Sequence, residues 1–343
     1  CLPAKVVTND DLSRTVDTND EWVFSRTGIH ARHFCEQESG MDLAEGAARQ
    51  ALERSGLKPE DIGVCLVATF TPDFASPSMA CMLQQRLGLK EDTICFDLNA
   101  ACAGFLYGTK TAHALLADAP RPYAIVVGAE VISRVLDHTD RNTCVLFGDG
   151  AGAAVIARED SARWHTVFGS RGDSKSIWVQ GPGPEKSAVH MEGKTVFRFA
   201  TEVVEGSIRQ LVSAEGCQVN DLDLVVCHQA NARIIDLAQR RYRIPPEKYY
   251  KNSQCNGNTA AASVPLVLSE LEEQWRIGPG SRLLMVAFGG GAQGVDGVKY
   301  LAACGGFVVL VVFILQVAAA IKVFFLDPET KKDIVDSVDQ IEQ

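Results

Sequence analysis

The stretch FDLNAACAGF, residues 96–105, places a single thiol, that of Cys102, among alanine and glycine residues. An apolar run, 94–98, precedes it, and a run of helical character extends to about residue 117. This pattern predicts a strand that passes directly into a helix, with Cys102 at the helix start. Unpaired N–H groups and the positive end of the helix dipole lie there. We therefore expect them to lower the thiol pKa and to make Cys102 a nucleophile.

Strands and helices alternate along most of the chain. Helical patterns cover residues 42–55, 79–88, 197–215 and 264–275, and apolar strand-like runs cover 64–69, 124–128, 224–227 and 283–288. Short apolar strands between amphipathic helices favour parallel sheets that are covered by helices on both faces.

The two halves of the chain resemble each other. EDIGVCLVA (60–68) is similar to NDLDLVVCH (220–228), and RPYAIVVGAE (121–130) is similar to GSRLLMVAFG (280–289). Between the members of each pair, a turn leads into a small-residue helix start: NAACAG in the first half and NGNTAAAS in the second. We predict a duplicated α/β protein with halves at 1–157 and 158–300, followed by an atypical segment, 301–343.

Two polar residues of the second half belong to the same candidate site as Cys102. His228 closes a strand, and Asn258 lies at the helix start related to that of Cys102. Ligands of open α/β sheets gather beyond the carboxyl ends of the strands. Histidine acts there as a base or donor, and an asparagine amide stabilises a developing oxyanion. Spacing alone leaves structural roles open, because buried cysteine is common in protein cores.

Composition excludes some classes of protein and favours a reducing compartment. The net charge of -10 disfavours broad nucleic-acid binding. The eleven cysteines are odd in number and form no CxxC pair, and the amino terminus lacks a signal-type apolar stretch. We therefore expect free thiols and a cytoplasmic location. No metal site is expected, because no histidine falls in a zinc-ligand spacing with these cysteines.

Six motifs together resemble one family. They are DTNDEWVFSRTGI (17–29), NAACAGF (99–105), DRNTCVLFGDGAGA (140–153), HQANARI (228–234), NGNTAAASVP (256–265) and AFGGG (287–291). In this order and spacing they closely resemble β-ketoacyl-acyl-carrier-protein synthase III, from residue 2 to about residue 291. The resemblance implies a thiolase-like fold, in which duplicated α/β halves with central mixed sheets form α-β-α-β-α layers. It also implies the condensation that starts type II fatty acid synthesis.

The resemblance assigns roles to the candidate residues. Cys102 corresponds to the cysteine that accepts the acyl group of a primer acyl-CoA, either acetyl-CoA or a short or branched one. His228 and Asn258 correspond to the pair that stabilises the enolate formed when malonyl-acyl carrier protein (malonyl-ACP) loses carbon dioxide. The N–H groups of Cys102 and Gly290 correspond to the oxyanion hole. No metal or redox cofactor is implied, because coenzyme A (CoA) thioesters and the carrier's phosphopantetheine are substrates.

The same resemblance implies three binding surfaces and a homodimer. The CoA-binding positions are Thr18, Trp22, Arg26, Arg141 and Asn231. The positions that contact the acyl carrier protein are Arg198, Arg233, Arg240 and Arg241. In the primer pocket, Ser76 falls where many relatives carry a bulky phenylalanine contributed by the dimer partner, and Phe74 is close enough in sequence to fill the space. We expect the smaller side chain to admit branched or medium-chain primers.

Several alternatives remain. The pairing of His228 with Asn258 argues against thiolases, which use a second cysteine, and against elongating synthases, which use two histidines. A plant-type or secondary-metabolite condensing enzyme shares Cys-His-Asn, whereas the CGSCW signature of papain-like proteases is absent. An inactive homologue is a third class, because the residues before LPAKVV (2–7) and after the glycine run depart from the family pattern. Release of carbon dioxide from malonyl-ACP distinguishes a synthase from a protease or an inactive protein.

Residues 301–321, LAACGGFVVLVVFILQVAAAI, contain no charged side chain. As a helix, this segment is long enough to cross a bilayer core, and lysines flank both of its ends. Its β-branched centre, 307–315, is equally typical of a buried strand. We therefore hold two interpretations, a membrane-contacting helix and a core element.

Overall fold

The computed structural model describes residues 1–158, 165–181, 188–278 and 280–290, together with the backbone of the strand Ala302–Cys304. Two sheets with flanking helices form the body of the protein. The strand bounds are β1 Lys5–Thr8, β2 Ala31–Phe34, β3 Ile62–Ala68, β4 Ile94–Leu98, β5 Tyr123–Glu130, β6 Gly150–Ala157, β7 His165–Val167, β8 Ile177–Trp178, β9 His190–Met191, β10 Leu224–Cys227, β11 Leu283–Val286 and β12 Ala302–Cys304. The helix bounds are α1 Asn9–Leu12, α2 Asp20–Thr27, α3 Gly40–Ser55, α4 Met79–Leu87, α5 Gly104–Leu115, α6 Gly193–Glu215, α7 Ala232–Tyr242, α8 Ser253–Asn256 and α9 Ser263–Glu273.

The first sheet has the strand order β4-β3-β5-β6. Strands β3, β4 and β5 are parallel, as their apolar sequences predict, but β6 runs antiparallel to β5. The expectation of purely parallel sheets is therefore wrong for this edge, and the mixed sheet implied by the family resemblance is confirmed. The chain between β5 and β6 contains a 3-10 turn and loops rather than a crossover helix, so the strand returns in the opposite direction.

The second sheet has the order β10-β11-β12-β7. Strands β10 and β11 are parallel, whereas β12 is antiparallel to both β11 and β7. Ala302–Cys304 thus pairs with the sheet, although the sequence analysis grouped it with the atypical segment. The rest of 301–321, and the tail to residue 343, lie outside the described residues.

Helices and strands share the buried core. One apolar cluster joins α5 and α9 to both sheets, through side chains such as Phe105, Val126, Val267 and Met285. A second cluster packs α3 and α4 on the opposite face of the first sheet, and a third packs α6 and α7 on the second sheet. The order of layers is therefore helix, sheet, helix, sheet, helix, which confirms the predicted architecture.

The internal duplication is visible at the helix starts. Ala101 and Ala260 both have positive φ, 47° and 45°, and each is the first residue of a short 3-10 turn that leads into a helix. In each case an asparagine side chain two residues earlier accepts the alanine N–H, at 3.1 Å for Asn99 and 2.9 Å for Asn258. The structural equivalent of Asn258 is therefore Asn99, three residues before Cys102.

Candidate active site

Cys102 lies in the 3-10 turn Ala101–Ala103, between the carboxyl end of β4 and the start of α5. The predicted position of this thiol, between a strand and the helix that follows it, is confirmed. Gly289 packs against the same turn, and a Cβ atom built on it would lie only 2.8 Å from the Cys102 backbone nitrogen. Only glycine fits there, so the glycine run brings its backbone against Cys102.

The pKa of Cys102 differs from the sequence expectation. Burial and the nearby Glu130 carboxyl raise the pKa of the Cys102 thiol to about 12. The helix start therefore does not produce a resting thiolate, because loss of water around the sulfur outweighs the stabilisation that the N–H groups contribute. In the free protein the thiol is protonated, and its proton must leave as the sulfur reacts.

His228 follows β10 and is 1% exposed. Its Nδ1 lies 2.6 Å from the Ser263 hydroxyl oxygen, and its ring meets Phe288 edge to face at 5.2 Å. Burial lowers the pKa of His228 to about 3, so the ring is neutral near pH 7. Ser263 accepts the Gln229 N–H at 3.4 Å, which leaves its own hydroxyl hydrogen to donate to Nδ1. This arrangement favours the tautomer with the hydrogen on Nε2.

Asn258 is held by its backbone and by its side chain. Its N–H donates to Leu146 O at 2.8 Å, and its carbonyl accepts the Gly148 N–H at 3.0 Å. The side-chain Oδ1 accepts the Ala260 N–H at 2.9 Å. With its oxygen engaged, Asn258 has its amide NH₂ group available as a donor.

These three residues line one cavity of about 230 Å³, called here the first cavity. Arg26 and Asn231 also line it, together with apolar side chains that include Phe197 and Phe199 of α6. Gly290 borders this cavity too, whereas Gly291 lies outside the described residues. A thiol and two neutral donors in one mostly apolar cavity suit thioester chemistry, in which negative charge develops on a carbonyl oxygen.

A second cavity of about 200 Å³ meets the first at Cys102, Phe147, Ile177 and Gly290. Its other lining residues are Phe70, Asn99, Ala101, Trp178, Val179 and Val189. The predicted pocket residues Phe74 and Ser76 do not line the second cavity; both are exposed on the surface of this chain. The sequence analysis missed Trp178, because the β8–β9 hairpin carries no motif and reaches Cys102 only through the fold.

The predicted CoA-binding residues are only partly brought together. Trp22 is covered by two guanidinium groups, with Arg26 4.5 Å and Arg141 4.8 Å from its ring centroid. Arg141 is tied to the Asp17 carbonyl at 2.7 Å, and Asn231 donates to the Arg26 carbonyl at 3.1 Å. Thr18 does not line the first cavity, and its hydroxyl oxygen is buried.

Four exposed arginines on α6 and α7 form a basic surface, called here the basic rim. They are Arg198, Arg233, Arg240 and Arg241. Arg233 stacks over Phe197 at 5.7 Å and Arg171 over Phe199 at 5.4 Å, so two guanidiniums border aromatic rings that line the cavity. Arg171 was not predicted, because it lies in an irregular stretch without a recognisable pattern.

Within the part of the chain that the structure describes, no helix is both long and apolar enough to cross a membrane. The predicted membrane-contacting helix, 301–321, falls almost wholly outside that part. Its described residues, Ala302–Cys304, form strand β12.

Comparisons with known proteins agree on one family. Profiles of 3-oxoacyl-[acyl-carrier-protein] synthase III match residues 96–172, and profiles of its C-terminal domain match residues 212–295. A β-ketoacyl-[acyl-carrier-protein] synthase III of Clostridium acetobutylicum is 40% identical over 302 residues, which cover 84% of this chain and 93% of that protein.

Solved structures show the same fold. The β-ketoacyl-[acyl-carrier-protein] synthase III of Thermus thermophilus has a TM-score of 0.82 and 36% identity, and the alignment covers 89% of this chain and 96% of that one. The priming β-ketosynthase of the R1128 polyketide pathway has a TM-score of 0.81 and 32% identity, with coverages of 89% and 92%. The thiolase-like fold that the motifs implied is therefore confirmed.

Proposed function

The chain belongs to the 3-oxoacyl-[acyl-carrier-protein] synthase III family, and from this premise we propose that Cys102, His228 and Asn258 carry out its chemistry. The protein is a condensing enzyme of the acyltransferase type, and its reaction is the initiating condensation of fatty acid synthesis. One observation carries the residue assignment: a thiol and two oriented donors, from different halves of the chain, line a single cavity.

In the first half-reaction the Cys102 sulfur attacks the carbonyl carbon of a primer acyl-CoA. The bond from that carbon to the CoA sulfur breaks, and the thiol proton leaves with CoA as its free thiol. Because the resting thiol has a pKa of about 12, attack and proton loss occur together. The N–H groups of Cys102 and Gly290 stabilise the oxyanion. Support comes from the Gly289–Gly290 backbone, which borders the nucleophile.

In the second half-reaction the malonyl group and pantetheine arm of malonyl-ACP occupy the first cavity. The bond between its C2 and its carboxylate breaks, carbon dioxide leaves, and the electron pair forms a thioester enolate. His228 Nε2–H and the Asn258 amide donate to the enolate oxygen. C2 then attacks the acyl-Cys102 carbonyl and forms the β-ketoacyl-ACP, and the released sulfur takes up a proton. The scheme consumes only thioesters and calls for no metal or redox cofactor.

The second cavity accepts the primer acyl chain in this scheme. Its walls are mostly apolar, with Phe70, Phe147, Ile177, Trp178 and Val179 beside the reacting sulfur. An apolar acyl chain on Cys102 is stabilised in this cavity, because its surface is removed from water. Trp178 is stacked on His190, with ring centroids 4.1 Å apart, so it forms an ordered wall rather than a free side chain.

The first cavity accepts the pantetheine arm, from CoA in the first half-reaction and from the carrier protein in the second. Arg26 and Asn231 border it, and Trp22 with Arg141 forms a stacking site for the adenine of CoA. The basic rim binds the acyl carrier protein, an acidic partner. A local positive surface is needed for this, because the chain as a whole carries a net charge of -10.

A homodimer is part of the proposal. In the described residues β4 pairs with β3 on one side and with no strand on the other. Phe96 of this edge is 36% exposed, and Phe74, in the loop between β3 and α4, is 56% exposed. An open edge with apolar side chains favours pairing with a second copy. In this dimer Ser76 of each copy contributes to the primer pocket of the other. The proposal also places the enzyme in the cytoplasm.

The polyketide alternative is not favoured, because the R1128 priming β-ketosynthase is 32% identical to this chain and the Clostridium acetobutylicum synthase III is 40% identical. An inactive homologue would not need both donors oriented. The deciding experiment is incubation with radiolabelled acetyl-CoA, followed by addition of malonyl-ACP. Wild type should retain label on the protein and then release carbon dioxide, whereas Cys102→Ala should take up no label. Equal labelling of Cys102→Ala would refute the assignment of the nucleophile.

A further inference from the structure

Arg32 of β2 is a fully buried cation, with no exposed surface. In the described residues no ion pair joins it to a carboxylate, and its Nε has no hydrogen-bond partner. Burial lowers the pKa of Arg32 to about 10, which leaves the guanidinium charged at pH 7. Asp20 attracts this charge from beyond ion-pair distance. Because burying a guanidinium without a direct ion pair is costly, its hydrogen bonds to the backbone are the contacts that compensate the loss of water.

Those hydrogen bonds join separate segments. One Nη atom donates to Val145 O at 2.7 Å, and the other donates to Val7 O at 3.2 Å. Arg32 also packs against two glycines, because Cβ atoms built on Gly148 and Gly257 would each lie 3.1 Å from the Arg32 Cβ. The side chain therefore occupies the point where a segment of the first half, 145–148, crosses a segment of the second half, 256–258.

That crossing holds Asn258. Its N–H and carbonyl bond to Leu146 and Gly148, which lie one and three residues after Val145. His30, the residue immediately before β2, also supports the second-half segment, because its N–H donates to Gln254 O at 2.8 Å. A shift of residues 145–148 would move the Asn258 backbone, and the Asn258 amide would move with it.

We propose that Arg32 is a positioning residue for Asn258, which it holds through the backbone of residues 145–148. This inference rests on the proposed function of Asn258 as an enolate donor. Arginine suits the task because its planar fork reaches two carbonyls at once, whereas lysine offers one flexible ammonium. Replacement by methionine would keep the stem but leave both buried carbonyls without this donor.

The test separates the two half-reactions in Arg32→Met and Arg32→Lys. Acyl loading does not use Asn258, so both variants should load Cys102 within about twofold of wild type. The turnover number for malonyl-ACP decarboxylation should fall roughly 10²-fold in Arg32→Met and less in Arg32→Lys, with KM nearly unchanged. In Asn258→Ala, adding Arg32→Met should cause no further loss, because both changes remove the same donor.

A stability control and a second readout complete the design. Leu52→Ala, in a different apolar cluster from Val145, supplies a variant with a comparable fall in Tm and no expected change in decarboxylation. Hydrogen exchange at the Asn258 and Gly148 amides should be faster in Arg32→Met than in Leu52→Ala. Exchange no faster than in the control would overturn the proposal, and so would equal losses in both half-reactions. If wild type fails to decarboxylate malonyl-ACP, the proposed function fails, and exchange still decides whether Arg32 holds Asn258.

Discussion

Replacing His228 with glutamine tests whether the ring is a neutral donor. Burial lowers the pKa of His228 from 6.5 to about 3. Between these values the unfolded chain binds a proton that the folded protein does not, so stability falls as the pH drops below 6.5. At 1.36 kcal/mol per unit, acidification from pH 7.5 to pH 5 should cost the folded protein about 2 kcal/mol through this one residue.

The assay is urea unfolding at pH 7.5 and pH 5, at one protein concentration, because subunit association adds its own contribution. Wild type should lose about 2 kcal/mol more than His228→Gln between the two pH values. Cys102→Ala is the matched control, since it alters the same cavity and keeps the histidine. It should lose as much as wild type.

A direct measurement checks the same reasoning. The Cε1–H resonance of His228, identified by its absence in His228→Gln, should not titrate between pH 7.5 and pH 5. A midpoint near pH 6.5, or equal pH dependence in wild type and His228→Gln, would refute the neutral-donor argument. The imidazolium form would then have to be considered for the enolate step.

Three further predictions concern the surroundings of the site. Ser263→Ala should lower the rate of decarboxylation about tenfold, because the His228 ring would no longer be held in the tautomer with its hydrogen on Nε2, and Ser263→Thr, which keeps the hydroxyl, should retain part of the rate. Equal ¹⁵N tautomer signatures in wild type and Ser263→Ala would contradict this. Trp178→Ala should enlarge the second cavity and raise the preference for hexanoyl-CoA over acetyl-CoA roughly tenfold in loading assays. An unchanged ratio of the two loading rates would show that Trp178 does not limit the primer pocket. Reversal of Arg240 and Arg241 to glutamate should raise KM for malonyl-ACP, with an effect that shrinks as salt rises, and leave acyl-CoA loading near wild type; an equal loss of both steps would indicate misfolding.

Local pattern was enough to predict many of the elements and the place of Cys102 in the fold. The apolar runs at 64–69 and 224–227 became β3 and β10, because their side chains are buried on both faces of the sheets. Cys102 could be predicted at a helix start because small residues and a preceding strand are close in sequence. These signals need only a few neighbouring residues.

What the sequence could not predict depends on contacts between distant segments. The pKa of Cys102 rises instead of falling, because its environment comes from chain segments far from position 102. Ser263 is 35 residues from His228, and Arg32 is 113 residues from Val145. No local sequence pattern identifies such pairs. A serine or an arginine looks like any other polar residue in the sequence, because its partner comes within hydrogen-bond distance only in the folded protein.

In the proposed scheme, the duplicated turns explain how one fold supplies both a nucleophile and one of its donors. Asn99 and Asn258 make the same bond to the N–H of an alanine with positive φ, a conformation that an L-residue adopts only at a cost. In the first half the turn places Cys102 next in the chain after Ala101, at the junction of the two cavities. In the second half the asparagine itself lines the first cavity, and alanine occupies the position equivalent to the thiol. The strained turn thus fixes the same backbone frame twice, with an asparagine in both copies. In the proposed scheme the residue after the strained alanine, Cys102 in one copy and Ala261 in the other, decides which half attacks.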